Sequence, residues 1–395
     1  MIKNRLVSIL CSAVLSAFVL SCSSGSDNME SLKIIDLAGA LASKPVEMKL
    51  GDIASDIEYI PLDMGEEFLP DYQMMEMIVA DGEIYFVPKP NHPAVPIFHF
   101  SGNGKLVSHF KHIGRAENEY VIPCGVAFDR ANGLFILNDC FRTVKYYTPS
   151  GEYKNSIKLD ELEYDIVPGF ITAGNSVRYI ARSKDNKKLY ALELGESGNV
   201  VGKDILIDYS NCPQEYWGEG TSVKLTSELI SKSSHSCTLL HKFSDSIYTY
   251  NGSGDAEVAF VIDFGNLKDG IERKIYIGGY CYESSKFLIL QIIYSVNYFD
   301  NLDPAERMNY LLIDKTTGKG TLLAKDEGNK AYLKNNLDGG MPFFPYHIDG
   351  DKMYQLVDAC QFIEYAEAAG SKAMLDVAAN LTEESNPVLV IATLK

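Results

Sequence analysis

The sequence is poor in the features that usually betray a function. It has no CxxC pair, which sets aside zinc-ribbon and thioredoxin-type readings. It has no HExxH, no GxSxG, no phosphate-cradling GxxxxGK and no EF-hand loop, so none of the short catalytic or cofactor signatures is present. Positive charge is scarce. Against 53 Asp and Glu stand only 36 Lys and Arg, a formal charge of −17 that repels phosphate backbones and argues against nucleic acid as a partner. Past residue 20 no apolar run approaches the roughly 20 residues a membrane span requires. Tryptophan occurs once, at Trp217.

What is present begins with a leader. Lys3 and Arg5 precede a short apolar run at 6–20, interrupted by Ser8, Ser12 and Ser16, and the run closes on the tetrapeptide VLSC at 19–22. That is the pattern of a signal peptide over residues 1–21. The tetrapeptide resembles the bacterial lipobox, which implies that Cys22 carries diacylglycerol and a further acyl chain and becomes the mature N-terminus. Several acyl chains anchor stably where one does not. The small polar run SSGSDNME at 23–30 reads as a tether, and residues 22–54 as a lipidated stretch ahead of the folded part. Cleavage removes only Lys3 and Arg5 among charged residues and moves the formal charge to −19.

From residue 55 onward short strand-like runs alternate with Gly, Asn and Asp turn signals, the mark of an all-β chain. The clearest unit covers 125–159: GVAFD, LFILND, TVKYYT and YKNSIKL, joined by tight turns. SGNGKLVSHF at 101–110 aligns with TPSGEYKNSIKL at an offset of 47 residues, and GESGNVVGKDILI follows after another 47. Repeats of 40 to 50 residues, each a four-stranded meander, are the signature of propeller blades. Six are countable. The sequence therefore predicts a six-bladed β-propeller over 55–395, and a β-sandwich with long hairpins gives no reason for the repeat. An Ala-rich stretch at 360–381 predicts a short helical insertion in the last blade. The strand DIEYIPLD at 56–63 has no local partner and is expected to close the ring beside the C-terminal strand.

Those stretches also carry a resemblance. IEYIPLD, the segment HIGRAENEYVIP at 112–123, the FxxxGK-type blade turns and the closing NPVLVIATLK are similar to the six-bladed β-propeller lipoproteins of Bacteroidetes, a family whose molecular function is generally unassigned. The resemblance implies a lipid-anchored envelope protein, at the outer membrane and facing the periplasm or the surface. Arg115, Glu119 and Tyr120 keep the family's loop pattern, while Ala116, Glu117 and Asn118 replace its small turn-forming residues.

Meander topology puts the blade-to-blade loops and the second-to-third loops at one end of the ring and the tight turns at the other. The candidate ligand residues gather at the loop end: Arg115, Glu117, Glu119 and Tyr120 in GRAENEY; Asn138, Asp139 and Arg142 of the second blade; Tyr216 and Trp217 in NCPQEYWGEG; Phe343 and Phe344 in GGMPFFP. Aromatics beside Arg, Asp and Glu suit sugar stacking or an anchored peptide. The expectation is a monomeric, non-catalytic binding module without cofactor, whose partner is a glycan or protein besides the membrane that holds its anchor. A glycan- or lactone-active propeller enzyme, with carboxylates on separate blades, is the alternative. Cys124 and Cys140 lie eight residues either side of Asn132 and would face each other in a regular hairpin, a candidate disulfide. His99, His109 and His112 sit on different strands and a loop, which argues against a metal site.

Overall fold

The computed structural model describes residues 32–90, 92, 95–159, 162–173, 176–185, 187–211, 229–232, 237–240, 245–270, 272–278 and 281–395. The leader, Cys22, Tyr216 and Trp217 lie outside the described residues. The fold is a six-bladed β-propeller. Blade 1 orders Met75–Ala80, Glu83–Pro88, Ile97–Phe100 and Leu106–Phe110 across its sheet. Blade 2 orders Pro123–Asp129, Leu134–Asp139, Thr143–Tyr147 and Tyr153–Lys158; blade 3 Asp165–Ala173, Ser176–Arg182, Lys188–Leu194 and Val200–Asp208. Blade 4 uses Leu229–Lys232, Cys237–Leu240, Ser246–Tyr250 and Glu257–Asp263. In blade 5, Ile275–Ile277 and Tyr282–Glu283 share the innermost place beside Phe287–Tyr294, followed by Met308–Asp314 and Gly320–Leu322. Blade 6 joins the two ends of the chain: His347–Asp349, Lys352–Val357 and Val388–Leu394 take Ala54–Pro61 as their outermost strand, as the unpaired run at 56–63 predicted.

Packing explains why the second strands read as nearly continuous apolar runs. Phe135 to Asp139 and Phe287 to Ile292 are buried without alternation, because each sheet is sandwiched between two others. The hydrophobic clusters follow suit, one per gap. Met77, Phe86 and Phe100 of blade 1 pack on Tyr354, Leu389 and Ile391 of blade 6, and Phe110 of blade 1 packs on Phe135 and Tyr147 of blade 2. The other four gaps are filled in the same way.

The 47-residue repeat has a physical cause in its glycines. Gly104, Gly151 and Gly198 hold equivalent places in successive third-to-fourth turns, with φ of 85°, 87° and 82°. Each also lies against the preceding blade's outermost strand, where a Cβ would stand 2.5 Å from Pro61 O, 2.5 Å from Phe110 Cβ or 2.7 Å from Ile157 Cγ2. Left-handed backbone and close approach both require glycine.

The folded unit starts earlier than residue 55. It begins at Lys33, and the segment expected to be tether up to residue 54 is in large part structural. Lys33–Asp36 adds a fifth strand to blade 4, parallel to Glu257–Asp263, with Lys33 opposite Phe260 and Asp36 opposite Asp263. Helix α1, Leu37–Ala42, follows, capped by the Asp36 carboxylate on the Gly39 amide at 2.7 Å. Val46 then bridges to Leu323 beyond blade 5, Lys49 bridges to Lys334, and Ala54–Pro61 completes blade 6. Residues 33–61 thus form a belt over the rims of three blades, buried through Ile35, Leu37 and Leu50 at 0% exposure.

The expected insertion is a helical hairpin, α2 (Ala359–Ala369) and α3 (Lys372–Ala378), between the second and third strands of blade 6. Gly370 ends α2 in the left-handed conformation and Ser371 caps α3 on the Met374 amide. Phe362, Ala366 and Met374 bury it against the closing strand through Tyr59. Beside it, Asp338 accepts hydrogen bonds from Tyr59 Oη at 2.9 Å, Asn335 Nδ2 at 2.7 Å, Ser371 Oγ at 2.7 Å and the Gly340 amide at 3.0 Å.

Candidate functional site

Most of the loop residues singled out from sequence hold the loops themselves. In the blade 1 to blade 2 connection, the Glu119 carboxylate folds back to accept the Ala116 amide at 2.9 Å, across Gly114, where a Cβ would collide with it. Ile113 and Tyr120 bridge at the base of the loop. Lys145, 6% exposed, donates to Glu117 O at 2.6 Å, and Tyr147 donates to Asn118 O at 3.2 Å. Burial lowers the Lys145 ammonium from its ordinary range. Tyr120 is wholly buried, and that burial lifts its phenol to about 12.

Asp139 is 5% exposed and accepts the amides of Ile122 at 3.0 Å, Cys140 at 2.8 Å and Val121 at 3.2 Å. Arg142, at φ 54°, donates to Leu159 O at 2.9 Å and to Leu162 O and Tyr164 O at 3.3 Å, bracing the next connection. Asn138 and Phe343 are buried. Phe344 is half-buried and meets Tyr310 and Tyr282 edge-on at 4.8 and 5.8 Å. The structure therefore brings the GRAENEY loop together with Asp139 on blade 2, while Phe343 and Phe344 belong to the blade 5 and 6 side. Arg115 and Glu117 remain exposed.

A bulge between Pro123 and Gly125 alters the hairpin expected to oppose the two cysteines. Pro123 faces Asp139, Gly125 faces Asn138, and the Cys140 amide bonds Ile122 O at 3.1 Å, leaving Cys124 and Cys140 diagonal to each other as unbonded thiols. Burial raises the Cys124 thiol, and the neighbouring Cys140 adds to the effect. The three histidines turn to three separate partners: His99 to Glu83 at 2.7 Å, His109 to Glu67 at 3.3 Å and His112 to Gly151 O at 2.7 Å.

A concave site does occur on the loop end, one position round the ring. A cleft of about 320 Å³ lies between the connection from the closing strand to blade 1 and the far end of the blade 6 insertion. Phe68, Asp71, Tyr72 and Gln73 line one wall; Asp358, Ser385 and Asn386 line the other. Asn386 builds it: its Oδ1 accepts the Leu69 amide at 2.8 Å while its Nδ2 donates to Glu67 O at 2.9 Å. Ser385 Oγ is engaged by the Thr382 amide at 2.9 Å. Tyr346 fixes the floor, its hydroxyl donating to Tyr72 O at 2.9 Å and its ring standing edge-on to Tyr72 at 6.1 Å.

What remains available is distinctive. Asp358 occupies the N-cap position of α2, yet its carboxylate makes no cap hydrogen bond, and it lies close enough to Tyr72 to act on it. Burial, then Asp358 and Asp71, raise the Tyr72 phenol to about 12, so it stays protonated at any physiological pH. Phe68 is 66% exposed, an aromatic ring left at the mouth. The cleft thus offers an aromatic wall, a phenol and the Asp358 carboxylate, while the Asp71 carboxylate is partly engaged, accepting the Gln73 amide at 2.9 Å. The run EEFLPDYQ at 66–73 carries no repeat signal, because it follows a strand and precedes a blade without matching either. As a blade-to-blade connection carrying two aromatics, it belonged with GRAENEY.

Residues 32–393 match the family described as Domain of unknown function (DUF4934), beginning at the belt and covering nearly the whole folded unit. The chain belongs to that family. Among solved structures, a Bacteroides fragilis protein described as exported superposes with a TM-score of 0.61 at 12% identity, covering 92% of this chain and 100% of its own. A member of the DUF4221 family from Bacteroides vulgatus, at 11% identity and a TM-score of 0.43, covers 87% of this chain and 97% of its own. At such identities the first likeness speaks for the fold. No curated protein matches. Among the described residues no helix of this DUF4934 protein is long and apolar enough to cross a membrane.

Proposed function

We propose that this DUF4934 protein is an exported, lipid-anchored binding module of the cell envelope that holds a glycan or peptide ligand in the cleft between blades 6 and 1 and performs no chemistry of its own. The cleft carries the reading. The amide of Asn386 is consumed in building it, whereas the Asp358 carboxylate and the Phe68 ring are not spent on the fold. A ligand that stacks an apolar face on Phe68 and presents hydroxyl or amine donors to Asp358, and to the Asp71 oxygen not held by the Gln73 amide, matches that lining. Export and anchoring are supported by the leader, by VLSC at 19–22 and by the description of the Bacteroides fragilis neighbour as exported.

A glycan and peptide array probed with the delipidated protein tests this. Phe68→Ala and Asp358→Asn are each expected to weaken binding about tenfold or more, the scale of losing one hot-spot contact. Arg115→Ala tests the blade 1 to blade 2 connection at the same end. Binding that survives Phe68→Ala and Asp358→Asn would refute the cleft, and turnover of an arrayed glycan would favour a propeller enzyme instead.

A further inference from the structure

The chemistry of the cleft between blades 6 and 1 follows from which of its hydrogen-bonding groups are left over. Side-chain donors are few. The Asn386 amide donates to Glu67 O while its Oδ1 holds the Leu69 amide, and the Ser385 hydroxyl is engaged by the Thr382 amide and lies 3.3 Å from the Thr382 hydroxyl. Tyr72 and Gln73 are the other side-chain donors of the lining. The acceptors are carboxylates: Asp358, which leaves the first turn of its own helix uncapped, and the Asp71 oxygen not held by the Gln73 amide. A lining with more acceptor than donor capacity selects a ligand rich in donors.

Charge narrows the choice among donors. The segments 66–73, 358–360 and 382–387 hold Glu66, Glu67, Asp71, Asp358, Glu383 and Glu384 but no lysine or arginine. The basic groups that approach from outside are already committed, Lys89 to Gln73 O at 2.7 Å and His109 to Glu67 at 3.3 Å. Asp358 and Asp71 stand on opposite walls, yet after burial both charges raise the same Tyr72 phenol, so the two carboxylates converge on one place. A hydroxyl ligand would leave these like charges facing each other, whereas a cation between them neutralises both. Phe68, 66% exposed, gives that cation a ring face and gives the methylenes behind it an apolar surface. The acids continue past the cleft on both sides, which suits a chain bearing several cations.

We propose that the ligand of this cleft is a basic polypeptide segment, one lysine or arginine side chain lying along Phe68 with its cationic head between Asp358 and Asp71. This sharpens, and rests on, the reading of the cleft as the binding site.

The test uses a dye-labelled peptide of alternating lysine and leucine, its binding to the purified protein read by fluorescence anisotropy. The same peptide with every lysine acetylated and a deacetylated glucosamine oligomer are run beside it. A chain with a formal charge of −17 attracts any polycation, so the control is Glu257→Gln, an exposed acid on the fourth strand of blade 4. Asp358→Asn and Phe68→Ala are each expected to raise the Kd about tenfold, the scale of one hot-spot contact. Glu257→Gln should change it by less than about twofold, as a distant screened charge does, and acetylation should remove binding. Equal losses at Asp358 and Glu257, or affinity unmoved by Phe68→Ala, would reveal diffuse attraction and overturn the proposal. No binding of the peptide, or binding of the glucosamine oligomer alone, would overturn the peptide ligand and leave the cleft to the array. A neutral ligand lost on both Phe68→Ala and Asp358→Asn would overturn the cation and keep the cleft.

Discussion

Blade 2 and blade 6 show two ways of building the same sheet. Blade 2 is local: its four strands follow one another within 123–158, every pairing is a hairpin, and its third-to-fourth turn uses a glycine of the 47-residue repeat. Blade 6 is composite. Its outermost strand comes from residues 54–61 and pairs with 388–394, so that Ile60 faces Leu389 across almost the whole sequence, and its second-to-third connection has grown into a helical hairpin. The loops over blade 2 consume their own polar groups, whereas the cleft opens where blade 6 meets blade 1. A sheet assembled from distant pieces leaves unmatched connections at its edge, and those connections can be shaped for a ligand without disturbing a hairpin.

The largest effect that would break this comparison comes from removing the belt. Deleting residues 33–61 takes away the closing strand and exposes the partners of Ile35, Leu37 and Leu50. Burial of three such side chains is worth about 5–9 kcal/mol, comparable with the whole stability of a typical domain. Loss of the cooperative urea transition is expected. A truncated protein that melts like the intact one would show that blade 6 needs no closure.

A smaller, local effect sharpens the role of the repeat. Gly151→Ala combines a left-handed backbone with overlap on Phe110 and should cost about 1–3 kcal/mol. Gly133→Ala, also left-handed at φ 65° but with open space around it, should cost only about 1 kcal/mol. Equal costs in chemical denaturation would mean that contact with the preceding blade does not matter at that turn.

The smallest effect concerns acid. Burial alone would raise Asp338, but hydrogen bonds from Ser371, the Gly340 amide, Tyr59 and Asn335 outweigh it and hold the carboxyl below its ordinary value. A carboxyl with a depressed folded pKa adds stability that is present above its unfolded value and lost as pH falls through the folded one. Asp338→Asn should therefore flatten the decline of melting temperature below about pH 4, while leaving its pH dependence near neutrality unchanged. An unaltered acid limb would show that the carboxylate does not tie the hairpin to the closing strand.

Much of the fold was legible because it is periodic. The glycines at 104, 151 and 198 mark one turn three times, and DIEYIPLD declared itself by lacking a neighbour to pair with. Lys33–Asp36 was not legible: four residues of KIID carry no turn signal, and their partner stands more than 220 residues away. Arg115, Glu117 and Glu119 stand in a loop while Asn138 and Asp139 end a strand, and in neither place does sequence disclose how the polar atoms are spent. Asp139 meets three backbone amides, Arg142 three carbonyls, and Glu119 its own turn, so each was legible as polar and illegible as occupied. The bulge at Pro123 likewise turned two symmetric cysteines into a diagonal pair.

The belt has a consequence for the order in which this protein comes into being. Residues 33–61 are made before either strand they complete, at 257–263 and 388–394. Blades 1 to 3 can zip up as they emerge, because their pairings are short-range. Lys33–Asp36 must wait, unpaired, for blade 4, and Ala54–Pro61 for Val388–Leu394. A polypeptide lacking Val388–Leu394 would have no strand for Ala54–Pro61 to grip, so closure of the ring waits on the synthesis of that strand.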